Sequence, residues 1–290
     1  MEIRSGLDLL KECTDKKQPI SEVMLEREIG HGKLNRQEVL ERLQNSLAIM
    51  RAASKRALAE EIHTNGGLIS GNARMLASYT KEHEDLCGKA MSRAICYAMS
   101  VQEVNASMGL IVAAPTAGSA GVLPGVLFGL SDVFSYTEEQ LVKGLLNAGA
   151  IGYLVMRNAS VSGAEAGCQA EVGSASAMAA SAVVELMGGT PKMCLNAAAF
   201  AFSNLLGMVC DPVGGLVETP CQSRNVIGVS NAFVCAQLSL SGVEHVVPFD
   251  EMTEAMLKVG KSMPESLRET AHGGCAATKA GSAACEACME

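Results

Sequence analysis

The sequence predicts an all-α protein: a single multi-helix domain in which buried, Ala-rich central helices are joined by glycine-rich loops. Three observations carry that expectation. Aromatic residues make up only 3% of the 290-residue chain and Trp is absent, so Ala, Gly, Ser and Met must fill a core drawn from 48% apolar residues. Such small side chains suit close-packed helices better than a sheet sandwich. Apolar positions recur at helical spacing in several stretches, whereas none alternates as a half-buried strand does and no 20–50-residue repeat stands out.

Residues 1–35 are mixed and polar, with a turn-like Gly30-His31-Gly32, and form an N-terminal segment ahead of a helical domain at 36–274. From Asn35 to Glu61, the positions Val39, Leu40, Leu43, Leu47 and Met50 mark an amphipathic helix. The run 64–72 places three glycines among small polar residues and is a loop. A second helix is expected over about 82–108, followed by an apolar stretch that breaks at 114–121. Thr137 and Gln140 form a capping box for a helix to about Asn158, and 168–187 is a helix of small residues. Thr190 caps the next helix and Pro191 opens it. That helix, to about Val209, is apolar nearly all round and belongs at the centre. Asn196, Ser203, Asn204 and Gly207 interrupt it, so it is a core helix and no membrane span. Further helices cover about 222–241 and, capped by Asp250, a stretch ending near Met263. Residues 275–290 are expected to be a mobile, cysteine-containing tail.

A net charge of −8 with no basic block argues against a nucleic-acid surface. The outlier is the count of eleven cysteines. The N-terminus lacks the apolar region of a secretory signal, so free thiols in a reducing cytoplasm are expected. Cys87, Cys96, Cys194 and Cys235 sit in helical apolar patterns and fit as core. Cys168 lies at a loop-to-helix junction, Cys210 ends the buried helix, and Cys221 opens the next beyond a Pro/Gly-bounded loop. Thiols at loop edges and helix ends can be stabilised as thiolates and reach a metal. Their separations are not those of a zinc finger, although a zinc-stabilised helical scaffold stays open. Three thiolates suit an iron–sulfur cluster with one iron left free. Three glycine-rich loops, 64–72, 115–125 and 211–215, offer backbone N–H groups to an anion, but none matches a nucleotide phosphate loop.

Four runs carry a resemblance to a known family: 115–125 (Pro-Thr-Ala-Gly-Ser-Ala-Gly-Val-Leu-Pro-Gly), 163–173 around Cys168, 210–225 from Cys210 through Cys221 to Asn225, and 268–274 (Arg-Glu-Thr-Ala-His-Gly-Gly). Together they resemble the iron–sulfur L-serine dehydratases, and within them the α chain that works with a separate β chain. The resemblance covers about residues 60–275. It implies a [4Fe-4S] cluster on Cys168, Cys210 and Cys221, with the fourth iron free to bind L-serine. It also implies a removable fourth ligand near the C-terminus, for which Cys288 is the candidate and Cys285 the alternative. Such an enzyme is a cytoplasmic lyase that converts L-serine to pyruvate and ammonia, as a heterodimer or larger assembly.

His63, just before the 64–72 loop, is the local candidate for the base that takes the α-proton. The family's Ser- and His-rich motif lies in the β chain, so the base can equally come from the partner. Asn65, Gly66, Gly67, Thr116, Gly118, Ser119, Glu165 and Arg224 are the expected substrate-cavity residues, with Arg224 suited to a carboxylate. His272 is expected to face the site, and His31, His83 and His245 to lie on the surface. A pyridoxal-type lysine setting is not apparent. Two other functions share the thiols: a cluster-dependent L-cysteine desulfidase, and a non-enzymatic iron–sulfur sensor module.

Overall fold

Helix boundaries follow the capping chemistry of the sequence. The computed structural model describes residues 2–289, with side chains to residue 284, so the thiols of Cys285 and Cys288 lie outside the described residues. The helices are α1 (Gly6–Lys16), α2 (Ile20–Gly32), α3 (Arg36–Ala59), α4 (Asn72–Glu82), α5 (Lys89–Ala106), α6 (Val122–Phe134), α7 (Glu138–Asn158), α8 (Gly163–Ala166), α9 (Ser174–Leu186), α10 (Pro191–Leu205), α11 (Cys221–Leu240), α12 (Phe249–Ser262) and α13 (Lys279–Met289). Among the described residues there is no strand, only one isolated parallel bridge between Cys210 and Arg268. The all-α expectation holds.

Asn35 and Glu38 close a capping box on α3, Thr137 and Gln140 close one on α7, and Thr190 caps α10 with Pro191 in its first turn. Elsewhere the chain departs from its local pattern. The segment expected to be polar and irregular up to residue 35 carries α1 and α2, and Gly30-His31-Gly32 ends α2 instead of forming a turn. Ile20, Val23, Met24 and Leu25 are buried there, and that tertiary burial outweighs the polar composition. The helix expected over about 82–108 begins only at Lys89, because Gly88 takes a φ of 74° just before α5, and residue 82 instead ends α4. Cys87, expected in the core, is therefore exposed in the connection. Asp250 does not cap α12, whose N-cap is Pro248. It accepts the N–H groups of Gly6 (2.7 Å) and Leu7 (3.1 Å) and so caps α1. Residues 279–289, expected in a mobile tail, are helical, and α13 lies against the turn Val213–Gly215.

Helix α9 is the hub. It is flanked by α7, α10, α11 and α6, and every residue from Ser174 to Val184 is buried. A second group places α3, α6, α11 and α4 around α5. The segment 117–134 has the length and apolarity to cross a membrane, yet here it is a 3-10 turn plus α6, mostly buried against α5 and α9. Helices α5 and α6 approach on small residues: a Cβ at Gly125 would come 2.7 Å from the Ala94 carbonyl, and one at Gly129 2.6 Å from the Ala94 Cβ. Backbone cannot yield as a flexible side chain can, so Gly129→Val is expected to destabilise the chain by about 1–3 kcal/mol. A midpoint in thermal unfolding equal to the wild type's would contradict that contact.

Candidate metal centre

The short helix α8 ends at Gly167, whose φ of 74° turns the chain into Cys168. The next five residues, Gln169–Gly173, form a single π-turn that leads into α9. Such turns re-aim side chains relative to a regular helix. Gln169 anchors this one at three points: its N–H donates to Met208 O (3.0 Å), its side-chain amide donates to Met256 O (2.8 Å), and its side-chain oxygen accepts from Gly207 N (2.8 Å). Two residues on, Glu171 is directed at the thiols. Cys210 is held by its backbone on both sides, its N–H donating to Leu267 O (2.8 Å) and its carbonyl accepting from Glu269 N (2.7 Å). Cys221 is the first residue of α11.

These elements converge. The sulfurs of Cys168 and Cys210 and a carboxylate oxygen of Glu171 all lie within 4.8 Å of one another, with Cys210 Sγ 3.8 Å from Glu171 Oε2. Cys221 is buried beside them, within the electrostatic reach of Cys168 and Glu171. A hydrogen bond with Cys168, then burial, pushes the Cys210 thiol up, and burial pushes Cys221 up to about 12. Burial likewise raises the Glu171 carboxyl above the ordinary carboxylate range. Metal binding at such thiols would displace their protons.

Arg224 faces the same group. Its guanidinium pairs with Asp211 Oδ1 (2.6 Å) and donates to Val209 O (2.8 Å). Burial works against its charge, but the neighbouring Cys168 and Asp211 outweigh that and raise its pKa. Asp211 Oδ2 accepts the Cys275 N–H (2.6 Å), which ties the 268–275 run to the thiol loop. Thr116 donates to Glu171 Oε1 (2.7 Å), and Ser119 stands behind it with its hydroxyl 3.1 Å from that of Thr116.

The 64–72 loop cradles an anion, but one that the chain itself supplies. The buried Glu218 carboxylate accepts the Thr64 hydroxyl (2.8 Å), the Gly66 N–H (2.5 Å) and the Leu68 N–H (2.8 Å). Glu103, also buried, caps the following helix by accepting from Ala73 N (2.6 Å), Gly71 N (3.3 Å) and the Gln222 side-chain amide (3.2 Å). Burial pushes the Glu103 carboxyl up, against the pull of those hydrogen bonds. A carboxyl whose folded pKa is raised gives stability that is complete below the unfolded value, about 4.3, and lost as pH rises through the folded one. Wild-type stability relative to Glu103→Gln is therefore expected to fall from about pH 4 toward neutrality. Urea unfolding at several pH values checks this, and a pH-independent difference would refute it.

Of the residues singled out from sequence, the structure brings Cys168 and Cys210 together, with Thr116, Gly118 and Arg224 around them and Ser119 buried just behind, while Cys221 is buried nearby but outside that close group. Asn65, Gly66 and Gly67 are not brought to that group: the Gly66 N–H is engaged by Glu218, that of Asn65 by Ala106 O and that of Gly67 by Thr64 O. His63, Glu165 and His272 have exposed side chains. His31 and His83 are exposed as expected, whereas His245 is half-buried, edge-on to Phe200. Sequence reading passed over Glu171, Asp211, Glu218 and Gly163. Their signal was present, since Gly163 and Glu171 lie inside the 163–173 run and Asp211 and Glu218 inside the 210–225 run, where an acidic residue among small ones has little reason to be unless it has a partner.

The donor set fits a thiophilic metal group. It has three buried free thiols and a half-buried carboxylate, and a Cβ at Gly163 would fill the space against Cys210 Sγ (3.0 Å) and Glu171 Oε2. Fold and site thus define a helical protein with a thiol–carboxylate group at helix ends whose donors could hold a metal. A family model described as "Serine dehydratase alpha chain" matches residues 15–276. The probable L-serine dehydratase alpha chain of Bacillus subtilis (strain 168) is 44% identical over 96% of this chain and 92% of its own length. The L-serine dehydratase alpha chain of Peptoniphilus asaccharolyticus is 41% identical over 96% of each chain. L-serine dehydratase 2 of Escherichia coli (strain K12) is 37% identical over 94% of this chain but only 61% of its own length. The chain belongs to the serine dehydratase alpha chain family.

Proposed function

We propose that the chain is the cluster-bearing α chain of an L-serine dehydratase, a lyase that converts L-serine to pyruvate and ammonia. The observation that carries this reading is the convergence of Cys168, Cys210 and Cys221 with Glu171 and Arg224, in a chain whose relatives bear that activity in their names. Cys168, Cys210 and Cys221 would hold a [4Fe-4S] cluster, which when bound supplies a Lewis-acidic iron for the serine hydroxyl and carboxylate. The chain's own residues do the rest. Buried small side chains exclude water from the thiols, Thr116 orients Glu171, and the Asp211–Arg224 pair keeps a cation beside Cys168. The reaction balances internally: loss of the α-proton and the β-hydroxyl as water leaves an enamine, whose imine tautomer takes up water and releases ammonia.

His63 is exposed, which favours a base from a second chain. The E. coli relative supports that division, because over a third of its own length lies outside what this chain matches. In this reading the partner is a separate β chain, the assembly a heterodimer or larger, and the compartment the cytoplasm, where the free thiols survive. The test is anaerobic co-purification with the β chain, followed by assay of pyruvate and ammonia from L-serine, with L-cysteine and L-threonine in parallel. Preferred release of sulfide from L-cysteine would make the chain a desulfidase. An iron-loaded complex inert toward all three amino acids would overturn the enzyme reading.

A further inference from the structure

Asn225 ends the run that begins at Cys210, and it is fully buried one turn into α11. Its side chain spends its whole hydrogen-bonding capacity on four partners. The amide nitrogen donates to Gly118 O (2.8 Å) and Cys221 O (2.9 Å), while the amide oxygen accepts from Gly121 N (3.1 Å) and the Gln102 side chain (3.2 Å). Two backbone carbonyls on one side and a backbone N–H on the other admit a single orientation of the amide. Gln102, itself buried on α5, reaches on to Ala117 O (3.4 Å), a carbonyl shared with the Asn105 amide (3.2 Å). Gly121 has no room for a side chain: a Cβ would come 2.5 Å from Ala98 O and 3.0 Å from Asn225 Oδ1, although its φ of −79° is open to any residue.

The 117–121 turn is thereby tied to the thiols from two directions. Thr116, just before it, donates to Glu171 beside Cys210, and Asn225 fastens Gly118 and Gly121 to the residue that carries the third thiol. Asn is a weak helix former that prefers caps and turns, so these bonds, and not local propensity, explain its place inside α11. We propose that Asn225 is a positioning residue: it holds the 117–121 turn in register with Cys221, and through that turn it sets the affinity for L-serine. This rests on the reading that Thr116, Gly118 and Ser119 line the cavity for L-serine beside the thiols. A turn free to drift from Cys221 presents those residues out of line, and a displacement of about 1 Å already costs a site much of its effect.

The test uses the full-length chain with its β partner, purified anaerobically as wild type, Asn225→Ala, Gln102→Met and, for comparison, Asn147→Ala. Asn147 is an equally buried amide, but its partners are Glu185, Ser181 and Cys194. Asn225→Ala should raise the KM for L-serine roughly tenfold, the worth of one lost hydrogen bond, with kcat within about threefold of the wild type. Amide hydrogen exchange, which requires no turnover, should speed up roughly tenfold in the 117–121 peptide of Asn225→Ala and keep the wild-type rate there in Asn147→Ala. Gln102→Met removes one of the bonds to Asn225 and should shift both readouts the same way by less; it carries the test if Asn225→Ala does not fold. A purely structural role would lower the active fraction, and with it kcat, at an unchanged KM. That outcome, or exchange at the wild-type rate in the 117–121 peptide, would overturn the proposal. A wild type inert toward L-serine would overturn the activity reading instead, and the exchange rates alone would then decide whether Asn225 holds the turn.

Discussion

Cys210→Ser is expected to leave a folded chain that retains about a tenth or less of the wild-type iron and turns over L-serine roughly a thousandfold more slowly. The magnitude follows from chemistry. A Lewis acid stabilises departing hydroxide by several kcal/mol, and each 1.4 kcal/mol is about tenfold in rate. The position is favourable for the experiment because Cys210 is fixed by its backbone: Leu267 accepts its N–H and Glu269 donates to its carbonyl, and neither bond involves the sulfur. Serine differs by one atom, so the loss measured is that of a soft donor and not of the fold. Iron analysis, the electronic spectrum and circular dichroism on one anaerobic sample separate the two. Cys168→Ser and Cys221→Ser should behave alike, and normal iron in all three variants would end the cluster reading.

Glu218→Ala should have the largest effect on stability. Its carboxylate is the common partner of the Thr64 hydroxyl and of two amides in the 64–72 loop. Each donor left unsatisfied in a buried position costs about 1–3 kcal/mol, partly recovered as water enters the space vacated by the side chain. The expected net loss is about 2–4 kcal/mol in urea unfolding. The 64–72 loop should also become a site of limited proteolysis, because its anchor to the 211–220 loop is gone. Glu218→Gln, which offers one acceptor oxygen in place of two, should lose less. A cleavage pattern unchanged from wild type in Glu218→Ala would show that the loop is held by something else.

The fold class was legible because packing and composition point the same way. A core without Trp and rich in Ala can be built by helices in close approach, and Gly125 and Gly129 against α5 show that approach directly. Helices with local caps, such as α3, α7 and α10, were found at their true starts. A local cap was not enough for α1, whose Ser5 caps Asp8 but whose Gly6 and Leu7 amides are met only by Asp250. Nothing near Gly6 announces Asp250, and the polar segment before residue 36 becomes helical only because its few apolar residues find a distant core. The site divides in the same way. Cysteines at helix ends declare themselves, as do glycine-rich loops. Acidic residues whose partners lie 50 or more positions away do not, as with Glu171 and Thr116 or Glu218 and Gly66. The 64–72 loop invited an external anion for the very reason that it already binds an internal one.

The bond between Asp250 and the start of α1 also has a consequence in time. A ribosome emits about 5–20 residues each second, so the Gly6 and Leu7 amides wait on the order of tens of seconds for their acceptor, although Ser5 satisfies Asp8 at once. Helix α1, made long before α12, is thus among the last of these helices to be completed, and it closes over a core that α12 must reach first. A nascent chain stalled before residue 250 should leave α1 open to chaperones, with the helices between already assembled behind it.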